Sequence, residues 1–141
     1  MIATLLIAWC LLALTVTIHA AGLSALLRAI PRALPDKRFW TVTWTLLGFA
    51  WRLILLHLAE IAVWALFFWW QKCLPDAESS FYFSGVTYTT VGYGDLVLPQ
   101  EWRLIGSVEG LTGILMCGLS TGLFFAVVIR FLAPRSAAKL N

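Results

Sequence analysis

Hydrophobic residues are concentrated in three long runs, Ile2 to Leu27, roughly Leu46 to Trp70 and roughly Leu104 to Leu132. An α-helix needs about 20 apolar residues to cross the hydrocarbon core of a bilayer, and each run is long enough. Hydrophobic residues make up 61% of the chain and charged residues 12%, with a mean hydropathy of +0.87. Charged residues are about a quarter of an ordinary soluble domain. The pattern therefore predicts an all-α integral membrane protein with three transmembrane helices.

The first run has a competing interpretation as a secretory signal. It lacks a basic start, and its apolar stretch is much longer than the core of a usual signal. We therefore expect a retained helix, so that residues 1–45 comprise a transmembrane helix, a linker and an interfacial segment. The segment over residues 39–44 is aromatic and rich in threonine, which suits a helix lying along the membrane surface.

The distribution of charge predicts the orientation of the spans. Residues 28–38 carry four basic residues and one acid, whereas residues 71–102 carry one base and four acids. The positive-inside rule places the linker and the tail 134–141 in the cytoplasm, with the N-terminus outside. We expect a multi-pass protein of the cell membrane, embedded in the lipid bilayer. The net charge of +3 belongs to this bias and gives no reason to expect a nucleic acid partner.

A short helix is predicted between the second and third spans, over Ala77 to Tyr88. Pro75 and Asp76 provide a stop and an N-cap, and Glu78 favours the positive N-terminal end of the helix. The segment is too short to cross a bilayer, so it must enter and leave from the same face, with its backbone buried in protein or facing water.

Immediately after this helix, residues 90–95 read Thr-Val-Gly-Tyr-Gly-Asp. Glycine adopts the left-handed backbone conformation without steric cost, and two glycines stand here at alternate positions. Alternating handedness lets successive carbonyls converge on one axis and replace the water shell of a cation, with a threonine hydroxyl as a further oxygen ring. The candidate ion-coordinating residues are Thr90, Val91, Gly92, Tyr93 and Gly94.

The succession of outer span, short helix, TVGYGD loop and inner span resembles the pore module of potassium channels, which are the standard example of a carbonyl filter. The resemblance covers roughly residues 46–133 and implies a prokaryotic-type module with one extra N-terminal helix. It implies an outer helix 46–70, a pore helix 77–88, a filter 90–95 and an inner helix 103–132. Potassium would bind at Thr90, Val91, Gly92 and Tyr93, and no other cofactor is expected.

The filter motif occurs once in the chain, and one loop cannot encircle an ion. The resemblance therefore implies a homotetramer with four-fold symmetry and the filter on its axis. In the family, an aromatic partner thirteen positions earlier holds the filter aspartate from behind. Here that position is Tyr82, whose hydroxyl is able to donate to Asp95. Tyr82 and Phe83 are expected to pack around Tyr93, and the candidate supporting residues are Asp95, Tyr82, Phe83 and Thr89.

The inner span carries several glycines at spacings of four, which in a membrane usually means close helix packing. The family resemblance adds a hinge that opens the cytoplasmic end, with Gly113 as the first candidate and Gly118 as the second. Below them, aromatic and aliphatic side chains would form a hydrophobic constriction or simply face lipid. These are Phe124, Phe125, Val128 and Phe131.

Glu60 stands near the middle of the second span, where an ionised carboxylate is expensive without a partner or a task. His57 lies one turn earlier on the same face, and Thr15 or His19 of the first span could approach it. One interpretation is a Glu satisfied by neighbouring helices, and the other is a pH-sensitive His57–Glu60 pair, since histidine titrates near neutral pH. Glu109 is expected to face the back of the pore loop or to pack.

Two further features bear on function. Cys10 and Cys117 are expected to be small packing residues, and Cys73 to be a free thiol or, alternatively, half of an intersubunit disulfide. Arginines at every third position are absent and only a short tail follows the inner span, so we expect neither a voltage sensor nor a cytoplasmic ligand domain.

The sequence thus predicts a potassium-selective channel that conducts passively. A weakly selective cation channel, or a non-conducting or regulatory subunit that assembles with other pore chains, stays open, as does regulation by a separate protein. An enzyme is not expected, because the segments outside the spans lack a paired acid–base set, a metal-ligand cluster or a phosphate-binding loop.

Overall fold

The computed structural model describes residues 2–30 and 39–132, and over these it contains four α-helices. They are α1 (Ile2–Ala29), α2 (Phe39–Trp70), α3 (Ala77–Tyr88) and α4 (Arg103–Leu132), with a short 3₁₀ turn at Gln100–Trp102 before α4. At a rise of about 1.5 Å per residue, the three long helices each exceed the roughly 30 Å of a bilayer core. By length and composition these three are able to cross a membrane. The linker prolines and the basic tail lie outside the described residues.

The short helix α3 packs against both α2 and α4, and α1 packs against the same two helices. A cluster of buried side chains surrounds α3 and joins it to the long helices. Its largest members are Trp64 and Phe68 of α2, Phe83 and Tyr88 of α3, and Met116 of α4. A second cluster joins the opposite ends of α1, α2 and α4, and consists of Leu26, Val42, Phe49, Leu53, Val127 and Phe131.

Helix α1 buries one narrow stripe of side chains. Ala8, Thr15, His19 and Leu26 are buried at spacings of seven, four and seven residues, which is the repeat of one helix face. At Gly22 a side chain would collide with Leu56 of α2, so the two helices approach closely there. Lipid is as apolar as leucine, so such close packing and interhelical hydrogen bonds, roughly 0.6 to 2 kcal/mol each, are what hold membrane helices together.

The expected interfacial helix over residues 39–44 is not a separate element, because α2 runs without a break from Phe39 and not from residue 46. The threonine hydroxyls of this stretch bond to carbonyls of their own helix, with Thr43 Oγ1 2.9 Å from Phe39 O and Thr45 Oγ1 2.8 Å from Thr41 O. Val42 is buried in the second cluster, which ties this end of α2 to its neighbours. The polar threonines interrupt the apolar run before residue 46, but the helix continues through them to Phe39.

Candidate functional site

Helix α3 is fixed at both ends, and the loop after it is bonded to its last turn. At the N-terminus, Asp76 Oδ1 accepts a hydrogen bond from Ser79 N at 2.7 Å, which is the predicted N-cap. At the C-terminus, the loop folds back on the last turn, since Thr90 N donates to Thr87 O at 2.9 Å and Gly92 N donates to Val86 O at 3.0 Å. The filter motif therefore begins as a direct continuation of the helix end, where the helix dipole is negative.

The backbone of the loop alternates in handedness. Gly92 has a φ of 53° and Gly94 a φ of 79°, and Thr90 has a φ of 62°. Val91 and Tyr93, which alternate with these three residues, lie outside the positive-φ region. This is the alternation that lets consecutive carbonyls turn to one side. Left-handed conformations are uncommon for a β-branched residue such as Thr90, and such strained positions concentrate at functional sites.

The side chains of the loop are exposed in the single chain. Val91 is 51% exposed and Tyr93 is 71% exposed, although both are hydrophobic. Every residue from Thr89 to Asp95 is exposed. The loop thus presents a backbone able to offer several oxygens to a cation, on a surface that the protomer itself does not cover.

The predicted hydrogen bond behind the loop is present. The Tyr82 hydroxyl donates to Asp95 Oδ2 at 2.7 Å. This bond is the main cause that holds the pKa of Asp95 below its ordinary value, and the same bond raises the pKa of Tyr82.

The expected packing of Phe83 around Tyr93 is replaced by a different contact. Phe83 is buried and lies edge-on to Phe68 of α2, with ring centroids 5.4 Å apart. It also fills the space beside Gly106 of α4. Phe83 points into the protomer because it follows Tyr82 around the helix by about 100°, so the two side chains cannot share the loop side. Thr89 Oγ1 donates to Gly85 O at 2.6 Å and so reinforces the end of α3.

A buried polar network lies behind the end of α3. His19 Nδ1 of α1 lies 2.8 Å from Glu60 Oε1 of α2, and His57 Nδ1 lies 3.4 Å from Glu60 Oε2. The Tyr88 hydroxyl, at the last position of α3, donates to the same Oε2 and lies 3.2 Å from His57 Nδ1. Glu60 is completely buried, so three helices are joined through one carboxyl group.

A second polar contact between α1 and α2 lies beside this network. Trp64 Nε1 donates to Thr15 Oγ1 at 3.0 Å, and Thr15 donates in turn to Leu11 O at 2.8 Å. Thr15 and His19 were the two α1 residues predicted to approach Glu60, and of these two His19 contacts it. Tyr88 was missed as a partner, although a tyrosine hydroxyl at the end of α3 was the signal available.

Three side chains of the network have the composition of a metal-ligand set. One ligand atom each from His19, His57 and Glu60 lies within 4.8 Å of the others. Two imidazoles and a carboxylate would suit Zn²⁺ or Fe²⁺. The same atoms already bond to one another and to Tyr88, and His19 Nε2, which would orient a metal-bound ring, has no hydrogen-bond partner among the described residues. The geometry therefore fits a hydrogen-bond network better than a metal centre.

Glu109 of α4 faces the back of α3, as one interpretation of the sequence had it. It is completely buried, and Ser84 of α3 is its neighbour. Neither carboxylate oxygen has a hydrogen-bond partner among the residues that the structure describes, and the same holds for Ser84 Oγ. A fully buried acid without a hydrogen-bond partner is unusual in proteins.

The glycines of α4 divide into two groups. Gly106, Gly110 and Gly113 lie against Phe83, Thr87 and Tyr88 in turn, and a side chain at Gly113 would collide with the Tyr88 carbonyl. Gly118 and Gly122 have no atom near the position of an added Cβ. Close packing against Tyr88 explains why a glycine stands at position 113, the first hinge candidate. Gly118 has no such packing role in the protomer. Helix α4 continues through both.

The side chains of the expected constriction do not share one surface. Phe131 is buried in the second cluster, and Phe124 stacks on Phe49 with centroids 6.2 Å apart. Phe125 is exposed, and Val128 is half-buried. Phe124 and Phe131 therefore pack within the protomer, because they share the face of α4 that meets α2.

The cysteines differ in environment. Cys73 is buried, and burial raises the pKa of its thiol. It is free in the protomer, as are the half-buried Cys117 and the exposed Cys10. The prediction that Cys10 packs is wrong for the single chain, because it lies off the buried stripe of α1.

Comparison with known protein families identifies the family of this chain. The profile of a family described as ion channel matches residues 53–130, which is more than half of the chain and includes α3, the loop and most of α2 and α4. Searches of curated proteins and of solved structures found no match.

Proposed function

Since the chain belongs to this family of ion channels, we propose that it forms a potassium-selective channel in which four copies place the TVGYGD loop around a common axis. The family establishes an ion channel and a multi-pass membrane protein. The selectivity, the tetramer and the roles of single residues are the proposal. Ions would pass without energy input, down their electrochemical gradient.

The alternating backbone at Thr90, Gly92 and Gly94 is the observation that carries the proposal. A loop with φ of 62°, 53° and 79° at every second residue is able to turn several carbonyls toward one axis. Rings of such carbonyls replace the hydration shell of potassium in the standard example of a selectivity filter. The coordinating residues would be Thr90, Val91, Gly92, Tyr93 and Gly94.

Four copies are proposed because a single loop supplies oxygens from one side only. Closed symmetry around the loop would also cover Val91 and Tyr93, which the protomer leaves exposed. The polar contact between Tyr82 and Asp95 would then hold the outer end of the filter, and Thr89 its inner end.

The distribution of charge supports an orientation with the filter loop and the N-terminus outside. Exposed tryptophans toward the two ends of α2 support a helix that crosses the membrane. Trp44 and Trp51 near one end and Trp69 and Trp70 at the other are all exposed, as interfacial tryptophans are.

Purified protein in liposomes tests the proposal directly. With potassium inside and sodium outside, we expect a reversal potential close to the potassium equilibrium potential. Vesicles loaded with potassium should also take up rubidium, and control vesicles without potassium should not. A reversal potential that ignores the potassium gradient would indicate a weakly selective channel. Silence of a correctly folded tetramer would favour a regulatory subunit that assembles with other pore chains.

A further inference from the structure

Helix α1 lies outside the residues that the family profile matches, yet one of its side chains reaches the support of the filter loop. His19 Nδ1 lies 2.8 Å from one oxygen of Glu60, and the other oxygen accepts a hydrogen bond from the Tyr88 hydroxyl. All three residues are at most 1% exposed. A continuous line of polar contacts therefore runs from α1 through α2 to the last residue of α3.

Tyr88 is fixed from a second side by α4. The backbone of Gly113 lies so close to the Tyr88 carbonyl that no side chain fits between them. The side chain of Tyr88 is thus held by α2 and its main chain by α4. This residue is the point where the packing of all the described helices meets the start of the filter loop.

The placement of Tyr88 bears on the filter because the loop is built on the last turn of α3. Thr90 N donates to Thr87 O, and Gly92 N donates to Val86 O, at 2.9 and 3.0 Å. Thr90 also holds a left-handed conformation that its surroundings must impose. A shift of the last turn of α3 would therefore move the residues proposed to bind the ion.

We infer that His19, Glu60 and Tyr88 are positioning residues through which α1 holds the filter loop in its ion-selecting geometry. The inference rests on the proposed function and gives the extra helix a task within the ion path. A helix that served only as a brace would need no more than its small and apolar contacts, such as Gly22 against Leu56.

Reconstituted tetramers of three α1 variants test this inference. His19→Leu keeps the bulk and removes the hydrogen bond, and His19→Asn restores a donor near the position of Nδ1. Thr17→Val is the matched control, because Thr17 is exposed and its hydroxyl bonds only to Ala13 O of its own helix, at 2.7 Å. The readouts are the potassium-to-sodium permeability ratio, the rate of current decline during steady conduction, and the tetramer content.

We expect His19→Leu to change the permeability ratio or the rate of decline by about fivefold or more, the lower range of measured coupling between sites. His19→Asn should recover most of the change, and Thr17→Val should match the unmodified protein. Tyr88→Phe deletes a single hydroxyl and gives an independent measurement if His19→Leu fails to assemble. The double variant His19→Leu/Tyr88→Phe should add little to either single change, because both act through Glu60.

Two outcomes overturn the inference while the proposed function stands. One is a His19→Leu tetramer with unchanged selectivity and unchanged current decline. The other is a pair of changes in permeability ratio or current decline, in His19→Leu and in Tyr88→Phe, that add in the double variant. If His19→Asn also fails to recover the unmodified values, the role of these residues is purely structural. An unmodified tetramer that carries no potassium overturns the proposed function, and this inference with it.

Discussion

The two sides of the filter loop are held in opposite ways. On its front, residues 89–95 are exposed, and the shape comes from main-chain torsions and bonds to the end of α3. On its back, the groups that hold Tyr88 are side chains from α1 and α2, buried to near completion. The front is left uncovered by the protomer, where the proposed channel would place ions and other copies of the chain, whereas the back is closed within one protomer. Changes on the front should therefore alter conduction directly, and changes on the back should alter stability, gating and, through the position of Tyr88, selectivity.

Gly94→Ala tests the front and should have the largest effect. An added Cβ at Gly94 meets no atom in the protomer, so the cost comes only from its φ of 79°. That conformation costs an L-residue about 1 to 2 kcal/mol, which in each of four subunits should reduce potassium flux by more than about tenfold. Gly85→Ala is the control, because Gly85 also has open space but has helical torsions. Equal flux through both variants would show that the loop torsions do not govern conduction.

Gly113→Ala and Gly118→Ala compare the back of the loop with the free part of α4. The first change forces α4 away from the Tyr88 carbonyl and should destabilise the protein by about 1 to 3 kcal/mol. The second has open space and should be neutral or gain up to about 1 kcal/mol. Thermal unfolding in detergent, followed by tryptophan fluorescence, measures both.

Single-channel recordings of the same pair locate the hinge. If α4 bends at Gly118, Gly118→Ala should lower the open probability without a loss of stability. An open probability unchanged in Gly118→Ala would leave this glycine without a gating role.

Glu60→Gln and His57→Ala test whether the back of the loop responds to pH. His57 Nδ1 lies 3.4 Å from Glu60, in a network that also includes His19 of α1 and Tyr88 of α3. Glu109 and Cys117 of α4 are further titratable groups that act on Tyr88. We expect the open probability of the unmodified channel to vary between pH 5 and about 8, and both variants to flatten the response. The same pH response in all three proteins would exclude the pair as a sensor.

Tyr82→Phe should have the smallest effect and acts on the front. The Tyr82 hydrogen bond holds the pKa of Asp95 below its ordinary value, so Asp95 loses its charge only as the external pH falls through that lowered pKa. Without the hydroxyl the pKa of Asp95 returns toward its ordinary value, and the acid-induced loss of current should move to higher pH. Proton block measured from the outer side checks this. A shift to lower pH would contradict the assigned direction.

The elements near the loop could be predicted from the sequence because strong local signals mark them. Pro75 and Asp76 set the start of α3, and the predicted ranges 77–88 and 103–132 match the helices as found. The start of α2 was set too late, since threonine side chains can bond within a helix and do not end it. The left-handed conformation of Thr90 was not predicted, because in this loop only the glycines indicate such a conformation from the sequence.

The contacts between helices could be predicted only in part. The partner of Glu60 depends on the rotation and vertical offset of α1 against α2, which the spacing of residues within one helix does not fix. His19 was therefore one of two candidates, and Tyr88 was not considered. The direction of Phe83 was misjudged for the same reason, because its surroundings are made by α2 and α4 together.

The distance along the chain between the members of the polar network has a consequence for biosynthesis. Thr15 and His19 find their partners in Trp64 and Glu60, which are translated 49 and 41 residues later. The first helix thus emerges from the ribosome before the carboxylate partner of His19 and the indole partner of Thr15 exist, although the Thr15 hydroxyl already bonds to Leu11 O of its own helix. Insertion of the two should proceed as a single paired event.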